Sequence, residues 1–245
     1  MNSIIDHLRS HRSFRKFQTD RTIPKEQLDA IIRATQSAPS WINGQQYSII
    51  AVQSPERKQK MAELCGNQPY IAESSVFLVF VADFYRTYLA SETHGGSLAA
   101  VENVDALLVG ATDVGLACEN TIIAAESFDL GVVCIGGIRR NMADVIDFLQ
   151  LPKYVFPVVG LCIGYPDVEM PIKPRFPKEA VYFEETYQTD VTDAMTAYDE
   201  TIIPFSTREG GISWTKRVSA FYDKDYYPSI AETLKQQGFL MKDKN

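Results

Sequence analysis

Residues Val76 to Ala82 form an almost wholly apolar run, Val-Phe-Leu-Val-Phe-Val-Ala. A strand with one wet face alternates apolar and polar residues, whereas a strand covered on both faces reads as a continuous apolar stretch. The run therefore predicts a strand packed above and below, and it is far too short to cross a bilayer. The rest of the chain has to supply those layers. Leu98 to Phe128 contains no proline. In it Val101, Val104, Leu108, Ala111 and Gly115 mark one apolar face, and the second half is apolar nearly all round. This pattern predicts a long helix at the centre of the core, ended by Gly131 as a C-cap.

The remaining segments alternate in type. A short helix is expected up to about Leu8, and Pro24 opens another with Glu26 in its first turn and Leu28, Ile31 and Ile32 on its buried face. Ala38 to Gly44 reads as a loop, Tyr47 to Val52 as a strand and Pro55 to about Leu64 as a helix. Glu92 to Ser97 is polar and reads as a mobile loop holding His94. Val132 to Ile135 is a short strand running into Gly136-Gly137, followed by a helix over Met142 to Leu149 and a strand over Tyr154 to Ile163. Prolines at 166, 171, 174 and 177 then hold an extended arm. Helices are expected at Val191 to Ile202, Trp214 to Phe221 and Ser229 to Gln237. Strands alternating with helices, then an arm and a helical tail, point to an α/β or α+β sandwich. Its core spans 1–165, with the arm and C-terminal helices over 166–245. Such an arm suits the gripping of a second subunit.

A chain of 245 residues with 45% hydrophobic content is ample for one substantial core. A formal net charge of −7 argues against a general nucleic-acid binder. The opening Met-Asn-Ser-Ile-Ile-Asp-His lacks the apolar stretch of a signal peptide, so a cytoplasmic protein with no membrane partner is expected. Cysteines 65, 118, 134 and 162 form no C-x-x-C pair, and His7, His11 and His94 show no ligand spacing with them. Reduced, buried thiols and no metal site are expected.

Three segments carry chemistry. His11-Arg12-Ser13-Phe14-Arg15 places two guanidinium groups and a hydroxyl within four residues, and arginine's planar fork suits phosphate oxygens. Lys173-Pro174-Arg175 puts two cations on a stiff stretch. Ile135-Gly136-Gly137 follows a strand, where adjacent glycines let a planar ligand approach the backbone. Taken singly, each is equally a solvated turn or surface charge. The chain has neither G-x-G-x-x-G nor a Walker A sequence, which disfavours a Rossmann or P-loop site.

Together and in this order, these motifs resemble those of the nitroreductase superfamily. The branch is that of the oxygen-insensitive NADPH nitroreductases and NADPH flavin reductases. The likeness also rests on Gly66-Asn67-Gln68, Ala124-Ala-Glu-Ser127 before Gly131, Ile138-Arg139 after the glycines, and Gly160-Leu-Cys-Ile-Gly164. It implies an α+β sandwich with a central, mostly antiparallel sheet flanked by helices, and an extended C-terminal arm embracing the partner of a homodimer. It implies bound FMN, with NADPH as co-substrate and NADH as a possible substitute. Arg12, Ser13, Arg15, Lys173 and Arg175 would hold the phosphate and ribityl region with His11 close by, and Gln68 would hydrogen-bond the flavin. Ile135, Gly136 and Gly137 would meet its reactive edge, and Ser40 would reach it from the partner subunit. Cys134 stands where relatives often carry an aromatic residue beside the flavin, and Pro39-Ser-Trp-Ile-Asn43 is not the serine run of well-known members. Arg208, in Thr207-Arg-Glu-Gly-Gly211, resembles an arginine that contacts the 2′-phosphate of NADPH.

The implied activity is ping-pong transfer of two electrons from NADPH through FMN to small acceptors such as nitroaromatics, quinones or free flavin. The cofactor carries the chemistry, so no catalytic side chain is expected. A non-catalytic flavin-binding or regulatory protein is the alternative.

Overall fold

The apolar run becomes β2 (Val76–Asp83), and all eight of its residues are buried. The computed structural model describes residues 2–206 and 211–240. The other strands are β1 (Tyr47–Val52), β3 (Gly131–Ile135) and β4 (Val155–Gly164). They form an antiparallel sheet in the order β1-β2-β4-β3, so β2 and β4 are central. Phe80 lies opposite Ile49, Leu78 opposite Leu161, and Ile163 opposite Val132. The two faces of β2 feed two separate cores. Leu78, Phe80 and Ala82 pack with Val114, Ala117, Cys118 and Ile122. Phe77, Val79 and Val81 pack with Met61, Ile71, Ile138 and Val145.

The helices form where capping and proline chemistry direct. Asn2 caps α1 (Ser3–Arg9) and Pro24 precedes α2 (Lys25–Gln36). Ser54 caps α3 (Pro55–Leu64), which has proline at its first position. A short α4 (Pro69–Glu73) precedes β2. The stretch expected to be a mobile loop around His94 is instead the end of α5 (Tyr85–His94), and Gly95 stops it at a left-handed φ of 68°.

The long helix is α6 (Val104–Glu126), and it lies on one face of the sheet rather than at the centre of the core. The expected inward face is largely the outward one. Val101 is buried in the turn before the helix, but Val104 and Leu108 are each 62% exposed, and Ala111 and Gly115 are exposed too. The buried face is Ala106, Gly110, Asp113, Val114, Ala117, Cys118, Thr121, Ile122 and Ala125. Side-chain size decides the orientation. The small residues let the helix close on the sheet, and a Cβ on Gly110 would come within 2.8 Å of that of Ala82. By length and composition α6 is apolar enough to cross a membrane, yet its small-residue face lies against the sheet. Gly131 does not cap it. The helix ends at Ser127, Asp129 makes the left-handed turn at φ 58°, and Gly131 opens β3. Glycine is required there because a Cβ would come within 2.8 Å of Pro166 and 2.9 Å of Phe14.

The chain divides into two compact units: residues up to Met170 with the segment from Tyr227 on, and Pro171–Tyr226. The last helix belongs to the first unit. In that unit α7 (Met142–Leu149) follows the glycine pair. After α10 (Ile230–Gln236), Phe239 is fully buried edge-on to Phe84 and Phe156, with ring centroids 5.8 and 5.0 Å away. In the second unit α8 (Thr192–Ile202) and α9 (Trp214–Tyr222) enclose Phe176 between Tyr198 and Trp214, with centroids 4.2 and 4.7 Å away. The Tyr198 hydroxyl donates to the Pro174 carbonyl at 3.1 Å, which pins the proline-rich stretch to α8.

Gly160 tests the packing at the sheet centre. A Cβ there would collide with the ring of fully buried Phe77. Gly160→Ala is expected to destabilise the protein by about 1–3 kcal/mol through overpacking, read as a lowered urea midpoint; an unchanged midpoint would show that Phe77 has room to move.

Candidate functional site

The polar N-terminal segment is laid along the free edge of β3. Ser13 bridges Val132 in parallel, Phe14 N–H donates to the Val132 carbonyl at 2.9 Å, and Gln18 N–H donates to the Tyr165 carbonyl at 2.9 Å. Phe14 and Phe17 are 8% and 3% exposed and anchor the segment. With the phenylalanines turned inward, Arg15 is exposed, and His11, Arg12 and Ser13 are half-buried at the surface. Arg12 donates to the Ser10 carbonyl at 2.9 Å. It also lines, with Phe14 and residues Pro166 to Met170, a groove of about 650 Å³.

One run of contacts passes three of the expected residues, Arg15, Gln68 and Gly137. The Tyr70 hydroxyl, close enough to Arg15 to feel its charge, donates to Gln68 Oε1. Gln68 Nε2 donates to the Cys65 carbonyl at 2.6 Å. Gly137 sits against that last pair, where a Cβ would collide with both the Cys65 carbonyl and Gln68 Nε2. Burial pushes the Tyr70 phenol above its ordinary pKa, with the Arg15 charge opposing, so the hydroxyl keeps its proton and its role as donor. Gly136 is exposed, and a Cβ there would meet only the tip of Arg139 at 3.7 Å.

The other expected residues fall into place unevenly. His11 Nδ1 lies 2.7 Å from Glu126 Oε1 at the end of α6, close enough to Cys134 to act on its charge. Cys134 is exposed, whereas the Ile135 side chain is 1% exposed, so only the backbone of Ile135 faces the site. Lys173 and Arg175 are exposed and belong to the second unit. Arg208 lies outside the described residues.

Ser40 is elsewhere in the same protomer. Its hydroxyl accepts from Gln45 N–H at 3.1 Å, and both oxygens of Asp113 hold its loop, accepting from Trp41 N–H and Gln46 N–H at 2.9 Å each. Asp113 and Glu126 are thirteen residues apart on α6, which is about 20 Å of helix. Ile42, Asn43 and Gln45 all take positive φ in this loop, and Trp41 and Ile42 are 62% and 80% exposed.

Sequence reasoning passed over Tyr70 and Asp113. The cue for Asp113 was a carboxylate set among the small and apolar residues of the helix, because a buried charge needs partners. For Tyr70 it was only nearness to Gln68 across one proline.

The donors and the open glycine edge fit a planar, phosphate-bearing group. Guanidinium and hydroxyl donors at Arg12, Ser13 and Arg15 lie along one strand edge, and at its end Gly136 exposes backbone with no side chain in the way.

Comparison with known proteins shows the family. Residues 8–165 match the model of the nitroreductase family, and residues 173–242 match that of the nitroreductase family C-terminal domain. The chain is 46% identical to the FMN reductase (NAD(P)H) of Bacillus subtilis (strain 168), over 99% of this chain and 100% of that protein. It is 35% identical to the oxygen-insensitive NADPH nitroreductase of Salmonella typhimurium (strain LT2), again over 99% and 100%. Among solved structures, NfrA2 of B. megaterium superposes with a TM-score of 0.95 at 42% identity, covering 99% of this chain and 100% of that one. The NADPH:FMN oxidoreductase of Vibrio harveyi complexed with NAD+ gives 0.89 at 32% identity, covering 98% and 100%. The chain belongs to the nitroreductase family.

Removing Asp113 tests what holds the Ser40 loop. Asp113→Ala leaves two backbone N–H groups without partners, at about 1–3 kcal/mol each when buried. Amide hydrogen exchange at Trp41 and Gln46 is expected to rise well above that of the neighbouring sheet; unchanged protection would show that the loop holds itself.

Proposed function

We propose that this chain is an FMN-dependent NADPH oxidoreductase, a nitroreductase or flavin reductase that passes two electrons to nitroaromatics, quinones or free flavin. The observation that carries this reading is the run of contacts from Arg15 through Tyr70 and Gln68 to Gly137, residues that come from three separate segments. FMN, when bound, supplies the redox chemistry, accepting two electrons from the nicotinamide and releasing them to the acceptor. Arg12, Ser13 and Arg15 hold its phosphate and ribityl region with Lys173 and Arg175, and His11 stands beside them. Gln68 offers its amide to the ring with Tyr70 fixing its orientation, and Gly136 and Gly137 leave the backbone bare for the ring's edge. Arg208 binds the 2′-phosphate of NADPH. The protein works in the cytoplasm. Donor and acceptor use one place in turn, which gives ping-pong kinetics. The relatives named for FMN reduction and nitroreduction with NADPH support this reading over a non-catalytic flavin-binding protein.

The test is anaerobic reduction of the purified yellow protein. NADPH is expected to bleach the flavin band quickly, NADH more slowly, and Arg208→Ala to slow NADPH alone. Arg15→Ala should lose about one to two decades in FMN affinity, since a charge-assisted contact contributes about 1.5–3 kcal/mol. A flavin band that neither nucleotide bleaches would replace this reading with the binding-protein one.

The working unit is a homodimer. Support comes from the outward face of α6, where Val104 and Leu108 lie bare with Ala111, Gly115 and Leu116. Two copies packed antiparallel along α6 would carry the Ser40 loop of one towards the Glu126 end of the other, closing the 20 Å gap of a single protomer. Light scattering should give the mass of a dimer, and Leu108→Glu should shift it towards monomer; a monomeric wild type would end the role assigned to Ser40.

A further inference from the structure

Cys118, which the electron transfer does not use, stands against Cys134. The alternation of β3 sets this up. Val133 and Ile135 point into the core that holds Phe77, Val79 and Cys162. Val132 and Cys134 point to the other face, where α6 packs and where Cys118 lies in the same cluster as Val132. There the two thiols lie close enough for each to act on the ionisation of the other. Cys134 is exposed, while Cys118 is 5% exposed behind it. The other two cysteines are placed differently. Cys65 and Cys162 are 1% and 0% exposed in the core on the opposite face. Cys162 pairs with Val133, so its side chain points away from the Cys134 side of the sheet.

We propose that Cys134 and Cys118 form an oxidant-sensitive thiol pair, in which peroxide oxidises Cys134 and Cys118 then closes on it as a disulfide. The electrostatics divide the two roles. The Cys118 thiol beside it draws the Cys134 thiol below its ordinary pKa against the effect of burial, and nearby His11 acts in the same direction as Cys118. The same contact, with burial, holds Cys118 well above its own. Thiolate character therefore collects on the exposed sulfur, which is the one a peroxide can reach. Burial pushes Cys65 up to about 12 and is the largest of the effects that hold Cys162 well above its ordinary value, which keeps both inert.

The step balances. The Cys134 sulfur attacks one peroxide oxygen, the O–O bond breaks, an S–O bond forms, and the departing oxygen leaves as water. The Cys118 sulfur then attacks the Cys134 sulfur, the S–S bond forms and the S–O bond breaks, and the hydroxyl leaves with the Cys118 proton as a second water. Two thiols lose two electrons and two protons, and one peroxide becomes two waters. The disulfide ties the end of β3, immediately before Gly136 and Gly137, to α6. It also spares Cys134 from irreversible oxidation to the sulfinic acid.

The experiment uses the flavin-containing protein as purified, reduced, desalted and treated with a few equivalents of hydrogen peroxide. Intact mass should fall by two hydrogens. A non-reducing digest should yield one cross-linked species joining the Cys118 and Cys134 peptides, and dithiothreitol should restore the starting mass. Cys118→Ala and Cys118→Ser, checked for folding by circular dichroism and flavin content, should lose the cross-link and add oxygen to Cys134 instead. The proposal is overturned if the wild type is unmodified, adds oxygen at Cys134 without a cross-link, or cross-links through Cys65 or Cys162. It is equally overturned if either folded variant still loses two hydrogens. These readouts follow thiol mass and not turnover, so they stand or fall apart from the oxidoreductase reading.

Discussion

A strand with no wet face is the constraint from which this structure grows. Every side chain of β2 is out of water, so its backbone polar groups must all find partners in neighbouring strands. β1 and β4 supply them from either side in antiparallel register. The side chains then demand a layer on each face, because an uncovered Phe77 or Phe80 would forfeit about 1.5–3 kcal/mol of burial. α6 meets that demand on one face, and α3, α4 and α7 meet it on the other. The strand ends at Asp83, which is buried as well. Its carboxylate there accepts from Tyr85 N–H at 2.9 Å, from Ser48 at 2.5 Å and from Arg86 at 2.9 Å.

The candidate site follows from where this sheet runs out. β3 is an edge strand, and an edge left bare invites wrong pairing. The segment from Ser13 to Gln18 covers it, spending one bridge at Val132 and another at Pro166. Its two phenylalanines must enter the core, so the polar residues between them are left on the surface. The cations are thus carried to the sheet edge by the same packing that closes it. At the end of β3 the chain has to turn beside Cys65 and Gln68, where only a glycine fits. The bare backbone follows one end of β3 and the donor-bearing segment pairs near the other, at Val132, so both are boundary conditions of one strand.

Much of this was legible in the sequence, and the failures have physical causes. Strands with continuous or β-rich runs, and helices opened by Pro24 or Pro55, were readable because local chemistry dictates them. The orientation of α6 was not, since apolar residues circle it and hydrophobicity cannot rank its faces. Size can: Gly110, Ala117 and Ala125 mark the side that touches the sheet, while Val104 and Leu108 mark the side that does not. Gly131 was misread as a helix cap because glycine serves close packing as readily as positive φ. The meeting of Arg15, Gln68 and Gly137 had no local signature, since it arises from tertiary pairing, and family resemblance was the only route to it. Tyr70, which links them, escaped because a tyrosine between apolar residues looks like core.

Asp113 shows how the same helix serves a second purpose. A carboxylate that is 1% exposed is costly unless its oxygens are used, and both here accept backbone N–H groups from the loop around Ser40. That loop carries three residues other than glycine at positive φ, a conformation that costs about 1–3 kcal/mol each and persists only where the surroundings impose it. The two costs offset one another: the loop's N–H groups satisfy the buried charge, and the charge holds the loop in a shape it would not keep alone. A simple connection between α2 and β1 has no need of such an arrangement. It makes sense if the exposed Trp41 and Ile42, together with Ser40, must be held ready at a fixed place. The helix that bears Asp113 also bears Glu126, which fixes His11 at the other end. One rigid element thus sets the position of both the loop and the cation-bearing segment, and any second copy packed along α6 would inherit that spacing.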